Sequence, residues 1–171
     1  TKEYDVLPFQ EYFVKYQCQP TMVSRSFDGI ESAKMTSQGR KALEECDLVV
    51  FCPSNPWVSI DPILNIEDTR QIISKKICVA VSPIIGGQTV KGPAAKMYRE
   101  MGIEPSALAV AEHYKGVING LVIDKVDENQ VNLIAQCGIM CLATKTLMSD
   151  NVDREFLARE TRSYPARAES A

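Results

Sequence analysis

From residue 36 onward, apolar positions in this chain follow two alternating rhythms. Short continuous apolar runs at 47–52, 77–81, 120–124 and 139–143 are separated by stretches in which apolar side chains return every three or four residues. Continuous runs of that length suit strands covered on both faces, as in parallel sheets. The intervening spacing predicts helices over 37–45, 59–64, 68–74, 93–102, 106–116, 128–136 and 150–162. Ser59 and Ser106 stand where N-caps belong, Pro93 suits a first helical position, and Gly102 and Gly116 suit stops. Strands alternating with helices predict an α/β fold, a Rossmann-like, doubly wound and mostly parallel sheet. Ahead of it, 9–16 and 21–28 are rich in aromatic and β-branched residues and flank Gln17-Cys18-Gln19-Pro20, which reads as an antiparallel strand pair. Residues 1–162 are expected to form one domain, and 163–171, small and charged, a frayed tail.

The 171 residues suffice to bury about 70% of the surface of the unfolded chain, so no staple is needed. With 45% hydrophobic and 24% charged residues, and no apolar run near the ~20 residues of a membrane helix, no membrane span is expected. A net charge of -3 makes a nucleic-acid polymer a poor partner, whereas a small anion needs only a local positive site. The six cysteines fall mostly in apolar sequence, and with His113 as the one histidine their spacing does not suit zinc. Core packing and a reducing cytoplasm are the expectation. The chain opens on Thr1 and runs almost at once into a strand-like stretch, as a partial chain would.

In an open parallel sheet, ligands bind beyond the carboxyl ends of the strands, where loops meet helix N-termini. Two loops reach that edge here. In the first, 52–59, Pro53 and Pro56 stiffen a turn that carries Ser54, Asn55 and Ser59; a plain turn with an N-cap is an equal reading. In the second, 82–92, Ser82 and Pro83 lead to Gly86 and Gly87, which permit close backbone approach or positive φ, and then to Lys91. A lysine just ahead of a helix opposes the helix dipole, and an anion between the two would relieve that conflict. Neither loop has the spacing of a Walker A sequence or of a dinucleotide Gly-x-Gly-x-x-Gly. His113 beside Glu112 reads as a solvated surface residue, Trp57 and Tyr114 as packed aromatics, and Asp61 as part of a helix cap. Asp61, Asp124 and Asp127 are scattered carboxylates that only the folded geometry could make metal ligands, and no catalytic residue is assigned.

Three stretches, Cys-Pro-Ser-Asn-Pro-Trp-Val-Ser-Ile-Asp-Pro-Ile-Leu (52–64), Val-Ser-Pro-Ile-Ile-Gly-Gly-Gln-Thr-Val-Lys-Gly-Pro-Ala-Ala-Lys-Met (81–97) and Pro-Ser-Ala-Leu-Ala-Val-Ala-Glu-His-Tyr (105–114), resemble the 2-phospho-L-lactate transferase family, CofD. The likeness extends over about 9–148, through Gly-Leu-Val-Ile-Asp (120–124) and Thr-Lys-Thr-Leu-Met (144–148). It implies coenzyme F420 biosynthesis: transfer of a 2-phospholactyl or phosphoenolpyruvyl group from a guanosine diphosphate ester to the terminal hydroxyl of the deazaflavin Fo, releasing GMP with Mg2+ assistance. On that resemblance Ser54, Asn55, Pro56, Ser59, Ser82, Pro83, Gly86, Gly87 and Lys91 are the candidate nucleotide and phosphate contacts. The family's glycine-rich first loop and its aspartate motif, which looks like the metal and deazaflavin site, have no counterpart here. The Mg2+ ligands are therefore expected outside this chain, and the chain alone is expected to be catalytically feeble. The alternative is a related, non-catalytic branch that binds nucleotide-sugars and regulates metabolism. The sequence leaves the lactyl or enolpyruvyl donor open, and a homodimer with it.

Overall fold

The computed structural model describes residues 1–163. The strands in chain order are β1 (Leu48–Phe51), β2 (Ile77–Val81), β3 (Ile84–Ile85), β4 (Gln88–Thr89), β5 (Gly120–Asp124) and β6 (Met140–Thr144). The α-helices are α1 (Ser37–Glu45), α2 (Asp61–Leu64), α3 (Thr69–Ile73), α4 (Ala94–Glu100), α5 (Ala107–His113), α6 (Val131–Gln136) and α7 (Asn151–Arg162). One sheet has the order β1-β2-β5-β6 and is parallel throughout, while β3 and β4 form a separate antiparallel hairpin. The α/β, Rossmann-like class expected from the alternation is the one observed. Parallel neighbours need crossovers, and the stretches between the strands supply them as helices.

Pleating sends alternate residues of each strand to opposite faces. Cys78, Ala80, Leu121 and Ile123 enter the main core with Trp57, Leu64, Met97, Tyr98, Val110 and Ile134. Val79, Val81 and Val122 face the other way and meet Leu157 of α7. The central strand β5 is buried along its whole length. β1 departs from expectation: it is an edge strand, and Val50 is 42% exposed rather than covered. An apolar groove of about 670 Å³, lined among others by Leu48, Val50, Val81 and Leu157, runs between this edge and α7.

The expected strand pair at 9–16 and 21–28 does not form. Glu11–Lys15 makes a π-helical turn, and 21–27 has no regular structure. Phe9, Tyr12 and Phe13 recur at the i, i+3, i+4 spacing of a helical face, and this outweighs the β-propensity of aromatic residues. The antiparallel pair of this molecule lies instead at β3 and β4. The N-terminal segment is tied down by polar bonds: Thr21 N donates to Glu3 Oε2 at 2.7 Å, Met22 N to Glu100 Oε2 at 3.1 Å, and Lys96 Nζ to Pro20 O at 2.9 Å. Tyr12 and Met22 are buried beneath it.

Side-chain caps start α1, α5 and α7. Thr36, Ser106 and Asp150 each accept from the backbone N–H three residues on, at 3.1, 3.0 and 2.9 Å. Ser59 does not cap α2. Asn55 does the capping work earlier, accepting from Trp57 N at 3.0 Å and Val58 N at 3.4 Å, so that a π-helical turn, Pro56–Ile60, runs straight into α2. The expected helix 128–136 divides into a 3-10 turn, Lys125–Gln130, and α6. The expectation for 163–171 lies outside the described residues except at Ser163, whose N–H bonds Arg159 O at 3.0 Å. Among the described residues no helix is long and apolar enough to cross a membrane.

Candidate functional site

Beyond the carboxyl ends of β1, β2 and β6 lies a cleft of about 570 Å³. The turn after β1 contributes Pro53, Ser54, Asn55, Val58 and Ser59, and the turn after β2 contributes Ser82 and Pro83. Lys91 and Gly92 arrive from the segment between β4 and α4. Six of the nine candidates, Ser54, Asn55, Ser59, Ser82, Pro83 and Lys91, thus meet at one cavity. Three do not line it. Pro56 is buried as the first residue of the π-helical turn, and Gly86 and Gly87 are the two turn residues of the β3–β4 hairpin, at φ +55° and +73°. Two positive φ values in a two-residue hairpin turn favour Gly-Gly for conformational reasons, with no ligand required. Ser82 is also largely committed, since its Oγ donates to Ile84 O at 3.0 Å and accepts from Ile84 N at 3.1 Å.

Each wall of the cleft is anchored by a buried carboxylate. Asp127 Oδ2 accepts from Gly86 N at 3.0 Å and its Oδ1 from Gln130 Nε2 at 3.1 Å, which fixes the hairpin behind Lys91. Asp124 Oδ2 accepts from Thr146 N at 2.9 Å and Thr146 Oγ1 at 3.1 Å, pinning the loop after β6. Burial alone would raise the Asp124 carboxyl, but the backbone N–H groups of Thr146 and Val126 and the Thr146 hydroxyl outweigh it and hold it below its ordinary value. These carboxylates are structural posts, and neither lines the cleft.

Asp61 is the third post and overturns two sequence readings. It is only 6% exposed; Oδ1 lies 2.9 Å from His113 Nε2, and Oδ2 accepts from Arg25 Nη2 at 3.2 Å. His113 is therefore a partner of a buried carboxylate and not a solvated surface residue, and Asp61, the first residue of α2, gives its carboxylate to His113 and Arg25 rather than to a helix cap. Desolvation pushes the Asp61 carboxyl up, yet the hydrogen bonds and charges of His113 and Arg25 outweigh it and leave it below 3.8. Aromatic rings enclose the cluster: the Arg25 guanidinium carbon lies 5.5 Å from the Trp57 ring centre, and Trp57 packs on Tyr98 with centroids 4.0 Å apart. Trp57 and Tyr114 pack in the core, as expected. So do the buried Cys78 and the half-buried Cys141: burial pushes their thiols up to about 11 and about 12.

The charge of the cleft is one-sided. Among the described residues its lining holds two cations, Lys91 and Arg154, and no carboxylate, in a chain of net charge -3. Its rim is apolar: Phe9 and Phe13 stack at 5.6 Å with planes 13° apart, and Leu147 and Met148 line the same cavity. Phe9, Phe13, Thr146, Met148 and Arg154 are the residues that sequence reasoning missed. The loop after β6 was within reach, because every parallel strand delivers its following loop to the same edge. Nothing local marked the others, which reach the cleft from distant segments.

The family model for 2-phospho-L-lactate transferase CofD matches residues 1–155. The chain belongs to this family. A CofD relative from Methanococcoides burtonii, a 2-phospho-L-lactate transferase, is 38% identical over 140 residues, covering 82% of this chain and 46% of the relative. A phosphoenolpyruvate transferase from Thermobifida fusca is 41% identical, covering 83% of this chain and 43% of its own length. The 2-phospho-L-lactate transferase of Methanocaldococcus jannaschii is 34% identical over 91% of this chain and 49% of its own. This CofD chain therefore spans about half the length of the curated relatives it matches. The family is one of transferases.

Proposed function

We propose that this chain forms the nucleotide-diphosphate side of a transferase that moves a 2-phospholactyl or phosphoenolpyruvyl group from a guanosine diphosphate ester to the deazaflavin Fo, releasing GMP, in coenzyme F420 biosynthesis. The observation that carries the reading is the cleft at the carboxyl edge of the sheet, where Ser54, Asn55, Ser59 and two cations meet without an opposing carboxylate. In the reaction, the Fo hydroxyl oxygen bonds to the phosphorus that bears the lactyl or enolpyruvyl oxygen. The bond from that phosphorus to the bridging oxygen breaks, GMP leaves with the electron pair, and the hydroxyl loses its proton. Such a step needs few covalent contributions from the protein; it needs donors and positive charge placed on the phosphoryl oxygens. Ser54 and Ser59 supply the donors, Lys91 the charge, and the stacked Phe9 and Phe13 a flat apolar surface for a ring, while Asn55, whose Oδ1 caps the turn and whose Nδ2 donates to Met97 Sδ at 3.1 Å, shapes the loop.

The donor set does not fit Mg2+. The cleft lining holds no carboxylate, and no group of three or more His, Cys, Asp or Glu suited to a metal occurs among the described residues. Asp61, Asp124 and Asp127 have their oxygens engaged internally. The role proposed for this chain's residues therefore involves no metal ligation.

Thermal unfolding with added ligand tests the reading. GDP at a hundred times its Kd should stabilise the chain by about 2.7 kcal/mol, a rise of roughly 5–10 °C in Tm, with guanosine and UDP-sugars giving much less. Stabilisation by a UDP-sugar alone, with no response to GDP, would move the chain to the nucleotide-sugar-binding class.

A further inference from the structure

Arg154 sits in the first turn of α7, where a positive charge opposes the helix dipole and costs stability unless an anion is near. Its side chain donates from Nη1 to Asn151 Oδ1 at 2.8 Å, a neutral acceptor. Among the described residues it has no carboxylate partner, whereas Arg159 on the same helix pairs with Glu155 and the nearby Lys145 pairs with Asp153. Arg154 lines the same cleft as Lys91, and the two come from chain segments more than sixty residues apart. An arginine placed against its own helix dipole, oriented by Asn151 and left without an acid, has its remaining guanidinium donors available to the cavity. A guanidinium presents a rigid fork that matches phosphate oxygens in pairs, while a lysine acts as a point charge.

We propose that Arg154 is a second phosphate-binding side chain of the cleft, holding the donor's diphosphate jointly with Lys91. The proposal rests on the reading of this cleft as a nucleoside diphosphate site, and adds that α7 closes it electrostatically. Two separated cations suit two linked phosphates better than a single carboxylate or monophosphate. GMP should therefore bind more weakly than GDP, and the difference should depend on Arg154.

The test is calorimetric titration of the chain with GDP, GMP and guanosine, comparing the wild type with Arg154→Gln, Arg154→Lys and, as a control, Arg159→Gln. Arg154→Gln should weaken GDP about tenfold or more while leaving guanosine unchanged, and Arg154→Lys should fall between. Arg159→Gln should match the wild type. Should Arg154→Gln prove less well folded, the Arg154→Lys affinity decides, because it keeps the charge and loses the fork. Equal GDP affinity in all four proteins would overturn the role of Arg154 and leave the cleft assignment standing. A wild-type chain that binds no GDP would overturn both.

Discussion

Asp61 shows how much one side chain can organise. Its carboxylate joins the segment carrying Arg25, the turn carrying Asn55 and Ser59, and the end of α5 through His113. Replacing it by Asn leaves two donors without their anion in a buried setting; Arg25 keeps some solvent access, so the cost should be about 2–3 kcal/mol in chemical denaturation. The pH dependence follows from the sign of the shift. The folded carboxyl lies below the ordinary 3.8, so its stabilisation is complete above that value and disappears as pH falls through the lower folded value. Asp61→Asn should accordingly flatten the acid limb of stability below about pH 4. An unchanged acid limb would mean that Asp124, also lowered, carries the effect instead. The sequence named Asp61 and His113 but could not join them, because they are 52 residues apart and meet only in the folded chain.

At the scale of elements, punctuation was the most legible feature. Ser106, Asp150, Gly102 and Gly116 act where their residue types predict, since a cap or a left-handed stop depends on a few neighbours only. The hairpin of β3 and β4 had a readable signal as well, Ile84-Ile85-Gly86-Gly87-Gln88-Thr89, a Gly-Gly pair between short strand-forming runs. Gly86→Ala and Gly87→Ala should each cost about 1–2 kcal/mol, because alanine resists positive φ, and a Cβ at Gly87 would also meet Pro105 O at 3.4 Å. If either variant matches the wild type in melting temperature, the turn conformation described here is wrong. In the first loop, structure and binding separate by residue. Asn55→Ala should lose about 1 kcal/mol of stability with its cap, whereas Ser59→Ala, which caps nothing, should weaken GDP without moving Tm. A Ser59→Ala protein with wild-type GDP affinity would remove that hydroxyl from the proposed cradle.

For the whole molecule, the uneven covering of the sheet matters most. One face carries the main core and the other has α7 with an open groove beside β1. Val50→Lys on that open face should change stability by less than about 0.5 kcal/mol, whereas Val79→Lys, on the same sheet but fully buried, should prevent folding; circular dichroism of the pair checks this. Because the cleft lining holds no carboxylate to take the hydroxyl proton or to hold Mg2+, we expect GDP binding without normal turnover: incubation with Fo, the activated guanosine ester and Mg2+, followed by chromatography, should yield little phospholactyl or phosphoenolpyruvyl product. Normal turnover would place the catalytic groups within these 171 residues.

The sequence by itself determined the alternation of β1, β2, β5 and β6 with helices, the cap at Ser106 and the stops at Gly102 and Gly116, and the two loops that open at the carboxyl edge, because each is settled by side chains within a few positions of one another. Tertiary structure alone decided that the stacked Phe9 and Phe13 reach the rim of the cleft, that His113 turns inward to Asp61, and that Arg154 joins Lys91 there. The reason is physical: burial and charge pairing depend on which distant segment arrives as a neighbour, and no local pattern records that arrival.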